Sequence, residues 1–385
     1  MRTLNLIFDL LATQPNKFTK RHGGGIYGEI VFETMIDMNY CFTAVYDSSK
    51  WLNPKIKDLC ANNGIMLCDL ANESMDNIVK RYDKPLIYSP VSSILYDKVK
   101  SITTIHGLRR IEMPNDWMQL YYKNDIRSLV SFFPRFLFPK YWRKLKEKEM
   151  KNFLLHKNLE FVTVSEHSRY SILSTFPEIN PTAVQVFYSP STTNENRSVL
   201  SYNNYDNKYF LLVSGNRWEK NNLRAMMALD ELFSEQASLK EFSVIITGVD
   251  RLGFYKYKFK NPEKFICKGY VEDSMLNSLY AGCYALIYPS LNEGFGYPPL
   301  EAMSYGKPIV VSAITSIPEV CGDAALYFNP LDYKEIKNRL LMITEDNLYK
   351  KLSQKAVERY NYVTKKQNDD LKRLIAWIVS KCELQ

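Results

Sequence analysis

Short apolar runs alternate with helix-period stretches along almost the whole of this chain, and they do so in two series separated by one polar interval. In the first series, residues 4–11, 41–46, 65–68, 85–89, 101–105, 160–165 and 183–188 read as strands, with helix patterns at 26–38 and from 166 to 174. Residues 189–208 are rich in Ser, Thr, Asn and Tyr and read as an interdomain linker. A second series follows, with strands near 210–214, 243–247, 264–267, 284–288 and 308–312 and helices near 221–235, 273–281, 298–305 and 333–343. The last stretch, 365–380, is amphipathic, with Leu371, Leu374, Ile375 and Ile378 at helical spacing. Such βα alternation requires mainly parallel sheets covered by helices on both faces, so the expected class is α/β with two domains. Tandem α/β domains bind ligands at the ends of their strands.

Composition narrows the class. At 385 residues the chain exceeds one ordinary core, and 46% hydrophobic with 24% charged residues is globular usage. No run approaches the length of a membrane span, and Asp9 interrupts the short apolar start, so neither a span nor a signal peptide is expected. Seven cysteines without a C-x-x-C pair predict buried free thiols in a reducing, cytoplasmic compartment. With four histidines and no D-x-D, no metal site is expected. The net charge is +8, and residues 134–151 alone carry seven Lys/Arg against two Glu, with Phe136, Leu137, Phe138, Tyr141 and Trp142 interleaved. That segment suits peripheral contact at an anionic membrane surface, or else a solvated helix packing its aromatics inward. Nucleic acid is not expected, because no recognised binding module accompanies the charge.

The strand ends carry the candidate chemistry. Residues 290–303 follow an apolar strand and open a helix through Pro298 and Pro299, with Glu293 and Glu301 at either end and Gly294 and Gly296 between. Carboxylates accept hydrogen bonds from vicinal hydroxyls, so the pair suits ribose and hexose, with a phosphate-sized cradle between them. Glu301, read as lying in the first helical turn, is also explained by the helix dipole; Glu293 has no such structural reason. In the second series the first strand ends in S-G-N-R-W-E-K-N, where Arg217 and Lys220 before a helix could hold a diphosphate. In the first series, Gly23-Gly24-Gly25 leads into a helix, as a phosphate cradle or a plain flexible turn. His106 ends a strand, either as a hydrogen-bonded core histidine or as a group facing a sugar.

These residues carry a resemblance. E-G-F-G-Y-P-P-L-E resembles the E-x7-E motif of retaining glycosyltransferases of family 4, and the likeness extends from 210 to 330 through S-G-N-R-W-E-K-N-N-L, G-Y-V-E-D-S-M-L-N-S-L-Y and S-Y-G-K-P-I-V-V. H-G-G-G-I-Y-G-E, T-T-I-H-G-L and V-T-V-S-E-H-S-R extend it more loosely into the first series. The resemblance implies the GT-B fold: Rossmann-like domains at 1–195 and 196–364 facing each other across a cleft, and a helix at 365–385 returning to the first. It implies metal-independent, retaining transfer of a hexose from a UDP- or GDP-sugar, without cofactor, to a growing surface polysaccharide or a lipid-linked glycan at the inner face of the cell membrane. By the same resemblance, Arg217 and Lys220 meet the donor diphosphate near Gly215, and Glu301 holds the ribose. Glu293 contacts the transferred sugar, beside backbone amides of Phe295, Gly296 and Tyr297. His106 bonds the donor sugar, and Gly24 and Gly25 approach the phosphate. His106 is followed by Gly where many relatives have Asp, and Tyr297 stands where Leu is commoner. On this reading Glu293→Ala and Lys220→Ala abolish transfer and leave the fold intact. The alternatives are a GT-B nucleotide-sugar epimerase and a catalytically silent nucleotide-sugar-binding protein.

Overall fold

The computed structural model describes residues 1–15, 22–192 and 208–383, so most of the expected linker, 193–207, lies outside the described residues. The chain divides into two compact units, one of Met1–Leu108, Glu147–Thr192 and Thr364–Gln385, the other of Arg109–Lys146 and Thr193–Val363.

The first unit is built on a parallel sheet of β1 (Arg2–Asp9), β2 (Tyr40–Tyr46), β3 (Met66–Asp69), β4 (Leu86–Ser89), β5 (Ser101–Ile105), β6 (Leu159–Thr163) and β7 (Gln185–Val186), in the order β3-β2-β1-β4-β5-β6-β7. The central strands β4 and β5 are buried throughout, as strands covered on both faces must be. Phe8 packs edge-on against Phe32 of the helix Gly23–Asp37 and against Tyr88 of β4, at ring separations of 5.1 and 5.3 Å. The strand order reverses between β1 and β4, and the first helix starts just beyond that reversal.

The second unit repeats the plan with β8 (Tyr209–Leu212), β9 (Ser243–Thr247), β10 (Phe265–Lys268), β11 (Ala285–Tyr288), β12 (Ile309–Ser312) and β13 (Ala325–Phe328), in the order β10-β9-β8-β11-β12-β13, again all parallel. Its core is continuous from Phe210 and Leu212 through Leu229 and Leu232 of the helix Asn222–Glu235 to Ile287, Val310 and Phe328. Each such side chain, fully withdrawn from water, contributes about 1.5–3 kcal/mol. Here the order reverses between β8 and β11, which sets the loops after those two strands side by side.

Residues 109–146, grouped with the first domain on sequence, fall instead with the second unit. The cause is a buried ion pair, Arg224 to Asp116 at 2.9 Å, together with the Tyr122 hydroxyl, which accepts the Leu223 N–H at 3.0 Å. Asn221 makes no side-chain cap for the helix Asn222–Glu235, so Tyr122 satisfies one of its first N–H groups from a distant part of the chain.

The C-terminal helix is longer than its pattern suggests, running from Asp346 to Glu383. Its residues from Thr364 onward count with the first unit, where Asp370 accepts the Tyr188 N–H at 3.0 Å and Gln367 donates to the Ser189 carbonyl at 2.6 Å. Leu374, Ile375 and Ile378 are buried, as the apolar spacing requires. The seven cysteines are free thiols; burial pushes Cys60 up to about 11 and Cys283 and Cys321 up to about 12. Among the described residues, no helix is long and apolar enough to cross a membrane.

Candidate functional site

In the second unit, the loops after β8 and β11 bring Arg217, Lys220 and Glu293 together. The loop after β8 turns through Ser214 at φ 57° and Asn221 at φ 57°, with a short 3-10 turn, Trp218–Lys220, between. The loop after β11 is stitched to it: the Leu291 N–H donates to the Glu219 carbonyl at 2.8 Å, and Asn221 donates to the Pro289 and Pro330 carbonyls at 3.1 and 2.8 Å. These bonds force Lys220 inward. Its ammonium donates to Glu293 Oε1 and to the Tyr288 hydroxyl, both at 2.6 Å, and lies 4.9 Å from the Tyr288 ring centre. Glu293 Oε1 also accepts from the Tyr288 hydroxyl at 2.7 Å and from Ser290 Oγ at 2.5 Å.

The pair is interior. The side chains of Lys220 and Glu293 are 7% and 9% exposed. Burial by itself raises a carboxyl, yet the Lys220 ammonium and then the Arg109 guanidinium outweigh it and hold Glu293 at about 2. Burial lowers Lys220, and Glu293 opposes that fall. Tyr288 is pushed well above the usual phenol range by burial and by the carboxylate it serves, so its hydroxyl stays a donor.

A second, more open layer lies beside this pair. Arg217 grips Glu219 Oε1 through Nε at 2.8 Å and through a terminal nitrogen at 2.6 Å. Arg109 approaches the same Glu219 at 3.7 Å and Glu293 Oε2 at 3.9 Å. Arg217 and Arg109 are 38% and 41% exposed. They are the cations of this cluster that a solvated anion can reach.

Arg109, Tyr288, Ser290 and Glu219 were not singled out on sequence. The local signals were a basic pair three residues past His106 and the hydroxyl residues flanking Pro289. What makes them a cluster is the reversal of strand order, which no local pattern records.

Glycines at this site have separate reasons. Gly296, at φ +108°, begins the helix Tyr297–Met303 in a conformation that L side chains rarely adopt. A side chain on Gly215 would meet Ile246 and the Tyr255 hydroxyl at 2.7 Å. Its N–H donates to the Thr247 carbonyl at 2.7 Å and its carbonyl accepts from Tyr255 at 2.9 Å, so tight packing already accounts for this glycine. Because the helix starts at Tyr297, Glu301 is its fifth residue and not part of its first turn. The dipole explanation for Glu301 therefore falls away, and Glu301 instead accepts the Tyr280 hydroxyl. Phe295 is buried, and its carbonyl and that of Glu293 both accept from Ser316 Oγ at 3.0 Å, so the Gly-flanked loop is pinned from below. The Tyr297 ring sits 5.7 Å from that of Phe295.

In the first unit, the triple glycine is not a loop: Gly23, Gly24 and Gly25 form the first turn of the helix Gly23–Asp37. His22 caps that turn, Nδ1 accepting the Gly25 N–H at 3.1 Å while Nε2 reaches the Gln14 carbonyl at 3.3 Å. One of the N–H groups expected to cradle phosphate is thereby used by the protein itself. A side chain on Gly24 would strike Val91 at 2.9 Å, and one on Gly28 would strike Pro90 and Thr13 at 2.8 Å, so the glycines let the helix close onto the turn after β4. His106, at the end of β5, donates from Nε2 to the Pro90 carbonyl at 2.8 Å and stands edge-on to Tyr27 at 4.9 Å. Gly24 and His106 thus meet the same Pro90–Val91 turn.

Among the described residues, no three His, Cys, Asp or Glu side chains converge as metal ligands would.

Residues 196–359 match the family described as glycosyl transferases group 1. The chain is 31% identical over 244 residues to O-antigen chain mannosyltransferase B of Escherichia coli, covering 59% of this chain and 64% of that protein. It therefore spans somewhat less than two thirds of that relative's length. It is 26% identical over 309 residues to the O-antigen chain mannosyltransferase RfbU of Salmonella typhimurium, covering 78% and 75%. The fold is similar to that of sucrose-phosphate synthase from Thermosynechococcus elongatus, at a TM-score of 0.68, 13% identity and full coverage of both chains. The two parallel sheets with flanking helices are those of the GT-B fold.

Proposed function

We propose that this protein is a glycosyltransferase that moves a hexose from a nucleoside-diphosphate sugar to a hydroxyl of a surface polysaccharide or lipid-linked glycan. The observation that carries the reading is the Glu293 carboxyl, buried against Lys220 at 2.6 Å at the strand-order reversal, within the segment that matches glycosyl transferases group 1. The O-antigen mannosyltransferase relatives favour mannose as the hexose and a polysaccharide as the acceptor.

In this mechanism Arg217, with Arg109 beside it, meets the donor diphosphate and spreads the charge that develops as the nucleoside diphosphate leaves. Lys220 adds positive potential from within and fixes the Glu293 carboxylate, whose Oε2 side faces the transferred sugar. Glu301 holds the ribose hydroxyls, while the backbone at Phe295, Gly296 and Tyr297 lines the sugar. The acceptor oxygen forms its bond to the anomeric carbon on the face from which the diphosphate oxygen departs. That oxygen takes the acceptor's proton, so configuration is retained and no metal is needed. The reaction runs in the cytoplasm, at the inner face of the membrane.

The test is product analysis with UDP- and GDP-hexoses, with and without a glycan acceptor, in the presence of a chelator. Acceptor-dependent release of nucleoside diphosphate and an NMR spectrum showing a retained α-glycoside are the expected results. Free sugar of inverted stereochemistry at a ring carbon, released from donor alone, marks an epimerase. Donor binding without turnover on any acceptor marks a silent binding protein.

A further inference from the structure

The helix Ile126–Leu137 has two apolar faces, and its own unit covers only one of them. Phe132 is buried and stacks on Phe136 at 5.0 Å, facing the protein. On the other side Ile126, Val130, Phe133 and Leu137 follow one another at steps of four, three and four residues, a single stripe along the helix. They are 78%, 64%, 50% and 64% exposed, and Phe138 and Tyr141 continue the patch at 63% and 65%. Isolated exposed apolar residues are ordinary; four on one helical stripe, with two more in the next four residues of the chain, are not.

The charge around this stripe is of one sign. From residue 126 to residue 146 there are six Lys/Arg and no Asp or Glu. Arg127, Arg135, Lys140, Arg143 and Lys144 are exposed. Arg135 folds over the Trp142 ring at 5.6 Å, and Trp142 donates to the Pro134 carbonyl at 3.2 Å, which fixes the junction with the following helix, Pro139–Leu154.

We infer that residues 126–144 form a docking surface for an anionic phospholipid bilayer, the Ile126–Val130–Phe133–Leu137 stripe with Phe138 and Tyr141 entering the interface and the surrounding guanidinium and ammonium groups meeting lipid phosphates. A protein partner would need a matching acidic rim around an apolar centre, whereas an anionic bilayer presents both chemistries over any footprint. The surface differs from the one the basic sequence segment suggested: the apolar anchor begins before that segment, at Ile126, and runs into it. This deepens the lipid-linked acceptor reading and gives the transferase a reason to sit where such an acceptor is.

The test is sedimentation of the full chain with phosphatidylcholine vesicles, with and without phosphatidylglycerol. Pelleting with the anionic vesicles only, weakened by added salt, is expected. Ile126→Asp/Phe133→Asp and, separately, Lys140→Glu/Arg143→Glu/Lys144→Glu should each reduce pelleting at least tenfold, with the far-UV circular dichroism spectrum of the parent. Equal pelleting with neutral vesicles, or pelleting that neither variant changes, overturns the assignment. So does a concentration-dependent dimer abolished by the first variant without any vesicle binding, which makes a second copy the occupant. Because sedimentation involves no turnover, such a failure leaves the transferase reading standing, and loss of turnover leaves this one standing.

Discussion

Lys220 and Glu293 are an ion pair that the fold has withdrawn from water, and each is acceptable there only because of the other. Removing one partner of such a pair leaves an uncompensated buried charge, at a cost of about 3–5 kcal/mol. Lys220→Met should therefore lower the urea midpoint substantially as well as stop turnover, in contrast to the intact fold expected from sequence. Replacing both, as Lys220→Met/Glu293→Gln, should restore part of the stability and none of the activity; a single variant as stable as the parent contradicts this account. The same pair sets an acid limb. Glu293 is held at about 2, below its ordinary 4.5, so its stabilisation is fully present above pH 4.5 and is lost as pH falls from 4.5 towards 2. In Glu293→Gln, which leaves Lys220 uncompensated, the midpoint should already be lowered at neutral pH and the limb should be shallower in that window, as read from denaturation midpoints across pH. Tyr288 stands between the two charges. Tyr288→Phe keeps the ring beside Lys220 but deletes a hydroxyl bonded to both ions, worth about 1.5–3 kcal/mol for hydrogen bonds to charged groups. It should lower kcat with little change in KM, since Tyr288 positions Glu293 and does not itself touch the donor; a change confined to KM would place it on the substrate.

At the scale of elements, the loop after β11 works because it is held from below and turned at one residue. Ser316 accepts no freedom from it, donating to the Glu293 and Phe295 carbonyls, and Gly296 then starts the helix Tyr297–Met303 from φ +108°. The space around Gly296 is open, the nearest atom to an added Cβ being Ile317 Cγ1 at 4.0 Å. The penalty of Gly296→Ala is thus one of backbone conformation alone, about 1–3 kcal/mol. A lowered melting temperature with weakened nucleotide-sugar binding is expected; unaltered binding would separate this turn from the site. Elements of this kind are readable in the sequence where a period or a special residue marks them: the parallel strands, β13 apart, from their apolar runs, the helix after β11 from Pro298 and Pro299, the C-terminal helix from Leu374, Ile375 and Ile378. Where the cause is a distant partner, local pattern is silent. Nothing near Asp116 announces Arg224, so the local pattern of residues 109–146 does not show that they belong with the second unit. Nothing near Lys220 announces that Tyr288 and Glu293 will enclose it. Conversely, Pro298 and Pro299 suggest a helix start that puts Glu301 near the first turn, whereas Tyr297 is already helical.

For the molecule as a whole, the division into two units makes a nucleotide's effect on stability informative. The charges proposed to meet the diphosphate, Arg217, Arg109 and Lys220, belong to the unit containing 109–146 and 193–363. A ligand that binds only the folded form raises stability by about 2.7 kcal/mol at a hundred times its Kd. Calorimetry of the full chain should therefore show the transition of that unit rising with one nucleoside diphosphate, UDP or GDP, more than with the other, and the base preferred identifies the donor. Arg217→Ala removes a half-exposed guanidinium rather than a buried one and leaves Glu219 with Arg109 beside it, so it should abolish the shift while lowering the ligand-free transition less than Lys220→Met does. Lys220→Met should instead lower the ligand-free transition itself. If both variants lower the ligand-free transition alike and neither changes the nucleotide shift, the cations serve the fold and the diphosphate binds elsewhere. The contrast between an open and a buried cation on one loop is what lets a single experiment separate stability from binding.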